Sequence, residues 1–237
     1  MNRNSQPRVV LITGANRGMG LGYVKHYLNN GYSVIATYKD VENTKELQFL
    51  KKNSPKYLKI IKMNVAEEKS ILAMKKILKI ENIALSLVIN NAGISENEDF
   101  GNWTSNAFLK HFKVNTIGPA LVSQMVTPFM CKNSKIIQIT SGMGSLYRNI
   151  NATSALDAYA ASKCALHSIT VRLAEKVRHK NIGVFLINPG WVKTVMGGEE
   201  ATYAISEAVS NITKVIYNLT IKQTGSFVSE NGESIPW

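Results

Sequence analysis

Short runs rich in Val and Ile alternate along the chain with longer stretches of helical spacing. The runs 8–13 (RVVLIT), 33–37 (SVIAT), 58–63 (LKIIKM), 85–90 (LSLVIN), 135–140 (KIIQIT) and 182–188 (IGVFLIN) predict strands, most of them buried on both faces. Between them, residues 18–29 place Met19, Val24, Tyr27 and Leu28 on one helical face, and residues 71–80 do the same with Ile71, Leu72, Met74, Ile77 and Leu78. The stretches 107–131 and 158–178 are long enough for helices of several turns, although Pro119 is expected to break or kink the first. Residues 205–219 supply one more amphipathic helix. Strands alternating with helices predict an α/β, doubly wound parallel sheet with helices on both faces. No repeat, low-complexity tract or linker divides the chain, so one domain over residues 1–237 is expected.

Composition narrows the class. Of the 237 residues, 45% are hydrophobic and 19% charged, enough apolar surface for a core. The net charge of +12 permits an anionic partner without naming one. Ten of the lysines fall between Lys45 and Lys79, but Glu46, Glu67 and Glu68 intersperse and no aromatic ladder accompanies them. That pattern is a solvated face rather than a nucleic-acid site. Only two cysteines, Cys131 and Cys164, argue against a disulfide framework. The start MNRNSQPRVVLITG has no long apolar stretch behind its basic residues, which argues against a secretory leader. No run approaches the ~18 apolar residues of a membrane span. A cytoplasmic protein is expected. His26, His111, His167 and His179 lack metal-ligand spacing, and no metal is assigned.

The chemistry starts at Thr13-Gly14-Ala15-Asn16-Arg17-Gly18-Met19-Gly20, between the first strand and the first helix. Gly14 permits a tight turn, Gly18 lets backbone N–H groups approach a pyrophosphate, and Gly20 permits close helix–strand packing. The helix N-terminus adds partial positive charge. The spacing resembles the T-G-x-x-x-G-x-G turn of the short-chain dehydrogenase/reductase family. Further landmarks of that family follow in order: Asn90-Asn91-Ala92-Gly93, Asn115, Ser141, Tyr159-Ala160-Ala161-Ser162-Lys163 and Asn188-Pro189-Gly190-Trp191-Val192-Lys193-Thr194. The resemblance covers essentially the whole chain. Toward its C-terminal side, the segments 188–198 and 225–237 are similar to the C-factor/sniffer-type carbonyl reductases. It implies a single Rossmann-like domain with a mostly parallel seven-stranded sheet.

The resemblance also implies a nicotinamide cofactor held by Gly14, Asn16, Arg17, Gly18, Met19, Lys39, Asn64, Val65, Asn91, Ala92, Gly93, Tyr159, Lys163, Pro189, Gly190, Val192 and Thr194. In the family's register Tyr38 stands where an NAD enzyme carries an acid, and Lys39 where NADP-dependent members carry a base. Arg17 and Lys39 could clamp a 2′-phosphate, which favours NADP (NADPH). Asp40, one residue later, keeps NAD open. Asn64 replaces an aspartate that many members place near the adenine. Val192 and Thr194 match residues that grip the carboxamide.

Tyr159 and Lys163 stand one turn apart on a predicted helix. A free phenol, with a pKa near 10, is a poor base at neutral pH. The Lys163 ammonium and an oxidised nicotinamide would both favour phenolate, tuning Tyr159 as general acid/base. Ser141 would hydrogen-bond the substrate oxygen. Asn115 resembles the asparagine that bends its helix and holds a water chain to the lysine. Residues 146–156 and 195–203 are expected to wall the substrate site. The implied activity is hydride transfer between NADPH and a small-molecule carbonyl or alcohol substrate. A regulatory or intercellular-signalling protein with vestigial catalysis is the alternative. By the same resemblance, a homodimer or homotetramer would form through the two long helices. No nucleic acid and no membrane are expected as partners.

Overall fold

The computed structural model describes residues 8–237. The reading of a leaderless start falls partly on residues 1–7, which lie outside the described residues. The strands are β1 (Val9–Ile12), β2 (Ser33–Tyr38), β3 (Leu58–Lys62), β4 (Leu85–Asn90), β5 (Met130–Ile139), β6 (Gly183–Ile187) and β7 (Phe227–Val228). The helices are α1 (Gly18–Asn29), α2 (Lys45–Asn53), α3 (Glu68–Ile80), α4 (Ser105–Phe112), α5 (Gly118–Val126), α6 (Asp157–Arg178) and α7 (Ile205–Asn218). All seven strands join one sheet in the order β3-β2-β1-β4-β5-β6-β7. Every neighbouring pair is parallel. The chain therefore winds one way from β1 through β3 and the other way from β4 onward, leaving a crevice at the strand ends between β1 and β4.

The strand runs are continuously apolar because both faces of the sheet are covered. On β1, Val10 and Ile12 enter one core with Tyr23 and Val24 of α1 and Ile212 and Ile216 of α7. Leu11 points the opposite way, toward Met74 of α3, Val122 of α5 and Val177 of α6. Val10, Leu11 and Ile12 have no exposed surface, and burying each such side chain contributes about 1.5–3 kcal/mol.

Three elements depart from the sequence reading. The stretch 107–131 is not one helix: α4 passes through a π turn at Lys113–Ile117 into α5. Pro119 sits at the start of α5, where its missing N–H costs little. Cys131 lies on β5, which begins at Met130 and not at 135. That strand bulges between its pairings Leu85↔Met130 and Leu87↔Lys135, and Asn133 takes a φ of 61° there. Charged residues at 132 and 135 hide the early start from a hydrophobic count. The short helix α2 buries only Leu47 and lies wholly inside the lysine-rich segment. Among the described residues, no helix is long and apolar enough to cross a membrane.

The crevice is braced across its floor. The Thr13 hydroxyl oxygen accepts from the backbone N–H groups of Asn91 and Ala92, each at 3.0 Å. The Asn91 side-chain amide donates back to the carbonyls of Thr13 and Gly14 at 3.0 and 3.1 Å. Replacing Thr13 with Val should strand two backbone donors and cost about 2 kcal/mol. The expected loss of about 4–8 °C in thermal midpoint is measurable by circular dichroism; an unchanged midpoint would show that the brace carries no weight.

Candidate active site

The glycine turn opens directly onto this crevice. Gly14 has a φ of 62°, and a Cβ there would meet the Ala92 Cα at 2.9 Å, so only glycine fits. A Cβ on Gly20 would stand 2.1 Å from the Gly14 carbonyl oxygen, which lets α1 press against its own entry turn. Arg17 precedes α1 in extended conformation and offers no side-chain cap, and the first turn carries no acidic residue. The leading N–H groups of α1 are thus left uncapped by side chains at a positive helix end, a setting that suits an anion. Gly18 faces Thr194, whose Cγ2 lies 3.6 Å from where a Cβ would be. Met19 packs against the core. Asn16 donates to the Glu42 carbonyl at 3.2 Å. A pyrophosphate-bearing cofactor therefore fits what the turn provides.

The outer residues are arranged differently from one another. Lys39 is exposed and ion-paired to Asp40 at 3.6 Å. Both side chains are exposed, so the pair holds the lysine only weakly. Asn64 is a turn residue here: its Nδ2 donates to Glu67 at 2.6 Å and its Oδ1 accepts from Ala66 N at 3.1 Å. Val65 is buried with its carbonyl against Gly118, at 2.8 Å from where a Cβ would be. The loop after β6 crosses the opposite side. Gly190, with a φ of 74°, lies under the Tyr203 ring. Thr194 Oγ1 donates to the Val192 carbonyl at 3.3 Å and accepts from Gly197 N at 3.1 Å. Pro189 is half-buried between them and β6.

Ser141, Tyr159, Lys163 and Asn115 come together beyond the ends of β4 and β5. Ser141 follows β5 and accepts from Met143 N at 3.2 Å, starting a tight turn through Gly144. Tyr159 and Lys163 share one face of α6, with the Lys163 Nζ 5.6 Å from the Tyr159 ring centre. Lys163 is buried, and its ammonium donates to the Ile139 carbonyl at 3.0 Å. A Cβ on Gly93 would lie 3.8 Å from that ammonium. Asn115 is fully buried at the π turn. Its side chain exchanges two 2.9 Å hydrogen bonds with the backbone of Ile94 and donates to Ser162 Oγ at 3.0 Å. The amide is thus spent on bracing the segment after Gly93 to α6. The π turn interrupts the regular helix at this residue.

Burial dominates the electrostatics. It pushes the Tyr159 phenol up, with the Ser141 side chain acting in the opposite direction. It pushes the Lys163 ammonium down to about 8. In the chain by itself, then, Tyr159 is held above its ordinary value, because desolvation outweighs the Ser141 hydrogen bond that lowers it. His167, one turn beyond Lys163, is pushed down to about 4, first by burial and then by the Lys163 charge. Its Nε2 lies 2.8 Å from Thr140 Oγ1. Among the described residues, no three His, Cys, Asp or Glu side chains converge as a metal site.

Several supporting residues have no individual role assigned from the sequence. Asn188 Oδ1 accepts from Gly142 N at 3.1 Å and ties the turn after Ser141 to β6. Ile150 Cδ1 lies 3.0 Å from where a Gly142 Cβ would be, so the 146–156 loop folds over that turn. His167 has no metal-ligand spacing in the sequence. Its position four residues after Lys163 was the available signal.

A glycine turn at a strand-order reversal, facing a serine, a tyrosine and a buried lysine, defines a nicotinamide-dependent oxidoreductase. The chain belongs to the short-chain dehydrogenase family, whose family model, described as short chain dehydrogenase, matches residues 8–204. The C-signal protein of Myxococcus xanthus is 30% identical over 65% of this chain and 93% of its own length. The crystal structure of NADPH-bound carbonyl reductase from chicken fatty liver is 32% identical, with a TM-score of 0.92 over 98% of this chain and 100% of that one. The carbonyl reductase Sniffer of D. melanogaster is 28% identical, with a TM-score of 0.90 over 98% of this chain and 100% of that one.

His167 gives the site a pH signature. Its pKa is near 6.5 in the unfolded chain and about 4 in the folded one. Between those values the unfolded state binds more protons, so this group's stability contribution is full above about 6.5 and lost as pH falls toward 4. Urea midpoints of wild type and His167→Gln at pH 7 and 4.5 should show the smaller acid loss in the variant. Equal losses would remove His167 as a source of acid lability.

Proposed function

We propose that the chain is a single-domain, NADP-dependent reductase that converts a small-molecule carbonyl to an alcohol, or the reverse. The observation that carries this reading is the convergence of Ser141, Tyr159 and buried Lys163 at the edge of the braced crevice. Arg17 and Lys39 are exposed cations at the turn after β1 and the end of β2, suited to a 2′-phosphate. The NADPH-bound relative supports the same choice. When bound, the nicotinamide supplies or accepts the hydride.

The remaining work falls to the chain. The uncapped N–H groups of α1 hold the pyrophosphate, and Thr194 with the Val192 backbone orients the carboxamide. Ser141 donates a hydrogen bond to the substrate oxygen and keeps it beside Tyr159. The Tyr159 hydroxyl gives its proton to that oxygen in reduction and takes it back in oxidation. Lys163 stands close enough to stabilise phenolate, and the positive charge of an oxidised nicotinamide adds to it; together they must overcome the desolvation that raises Tyr159. Exposed Leu109, Ile117 and Ile169, on α4, the π turn and α6, support pairing of two copies through those helices.

Similarity to the C-signal protein supports a second reading, a signalling protein with little turnover. A screen of aldehydes, ketones and quinones for NADPH oxidation separates the two. Tyr159→Phe should lose at least ~100-fold in kcat, the scale of general acid catalysis, while NADPH binding by fluorescence stays intact. Wild-type turnover in that variant would sink the role. Lys39→Glu should raise the NADPH KM by about tenfold, the equivalent of roughly 1.4 kcal/mol, and leave the NADH KM nearly unchanged. Equal effects on both cofactors would remove Lys39 from the 2′-phosphate site.

A further inference from the structure

The six residues from Thr140 to Ser145 that carry Ser141 are tied at both ends by groups outside the site. At the near end, Thr140 Oγ1 lies 2.8 Å from His167 Nε2. At the far end, the Ser145 hydroxyl donates to the Pro236 carbonyl at 2.6 Å, and the next tie is Tyr147 N donating to the Trp237 carbonyl at 2.8 Å. Ser145 is buried and also accepts from Arg148 N at 3.1 Å. The segment that reaches this loop is itself well anchored. After β7 the chain turns back, with Ser229 N donating to Glu233 O at 2.8 Å. Val228 and Ser234 form an antiparallel bridge, and Ile235 N donates to Phe227 O at 2.9 Å. Ile235 is buried, so residues 234–237 run as a returning strap along β7.

The two ties meet in one aromatic cluster. The His167 ring lies 4.4 Å from Phe227 and 5.8 Å from Trp237, and Phe227 lies 5.7 Å from Trp237. Gly144 is locked against this cluster: a Cβ there would meet His167 Cε1 at 2.7 Å. The Ser141 turn cannot shift without breaking the Ser145–Pro236 bond or unstacking Trp237. Among the described residues, no hydrogen bond joins Ser145 or the strap 234–237 to the glycine turn or to residues 189–194; the link to the loop after β6 is Asn188, whose N donates to Val228 O at 2.9 Å and whose Oδ1 accepts from Gly142 N at 3.1 Å.

We infer that Ser145 and Trp237 are positioning residues: the strap 234–237 fixes the turn that presents the Ser141 hydroxyl to the substrate oxygen. The inference rests on the role proposed for Ser141. It predicts an effect on the substrate side alone, because cofactor contacts lie on other segments. Displacement of a substrate-binding group by a fraction of an ångström weakens turnover sharply.

The test compares Ser145→Ala, Trp237→Ala, Trp237→Phe and Ser141→Ala in the full chain, with a carbonyl compound that the wild type reduces. Steady-state kinetics, NADPH binding by fluorescence and thermal midpoints are read for each. Ser145→Ala and Trp237→Ala should lower kcat/KM for the carbonyl about tenfold, as expected for a mispositioned group. NADPH affinity should stay within about twofold of wild type, a few tenths of a kcal/mol by affinity arithmetic. Trp237→Phe, which keeps a ring in the cluster, should recover most of the loss. If both alanine variants keep wild-type kcat/KM while Ser141→Ala is inactive, the strap role is overturned and the Ser141 role stands. If Ser141→Ala retains full activity, the Ser141 role falls and the strap inference with it. If the alanine variants lose NADPH affinity and carbonyl turnover in parallel with a fall in thermal midpoint, the strap is a general structural element, which also overturns it.

Discussion

One oxygen atom holds two halves of the molecule together at the place where they diverge. The Thr13 hydroxyl accepts from two successive N–H groups of the segment after β4, and Asn91 returns two bonds to the turn after β1. β1 and β4 are neighbours in the sheet but their onward connections run in opposite directions. Without a brace, the glycine turn and the Asn91–Gly93 segment would be two loops free to drift. With it, Gly14 sits within van der Waals contact of Ala92 and the crevice has a fixed floor. Everything proposed for the cofactor depends on that floor.

The upper part of the site obeys a different constraint, the cost of burying charge. Lys163 is enclosed with a backbone carbonyl as its hydrogen-bond acceptor, and burial draws its pKa down to about 8. Tyr159 is drawn the other way by the same cause. Each group is therefore moved toward its neutral form. In the proposed reaction this matters, because a bound anionic phosphate and a cationic nicotinamide ring would each alter the balance. The chain holds the pair in place, and its protonation then depends on what else is bound.

The strand runs and the main helices were legible because both faces of the sheet are buried, so apolar runs stand out against charged helix surfaces. Where one end of an element is exposed, the signal faded. β5 starts at Met130, beneath a bulge whose residues include Lys132 and Asn133. Helix α2 buries a single leucine among lysines and left almost no periodic trace. In the site, Ser141, Tyr159 and Lys163 were readable from family spacing, and the structure brings them together. The use of Asn64 as a turn cap and of Asn115 as a backbone brace was not readable. An asparagine side chain can donate and accept at once, and only its neighbours in space decide which it does.

The two edges of the sheet show where much of the positive charge belongs. A parallel sheet ends in strands with unpaired N–H and C=O groups, which can template pairing between molecules. At one edge, β7 is only two residues long and is covered by the returning segment that bridges at Ser234. At the other, β3 is five residues long and carries Lys59 and Lys62 among its isoleucines. Lys62 is exposed and Lys59 pairs with Glu81, so this edge presents charged side chains to any strand that approaches it. The charges on β3 are in this sense suited to guarding an otherwise adhesive edge, two strands away from the crevice between β1 and β4.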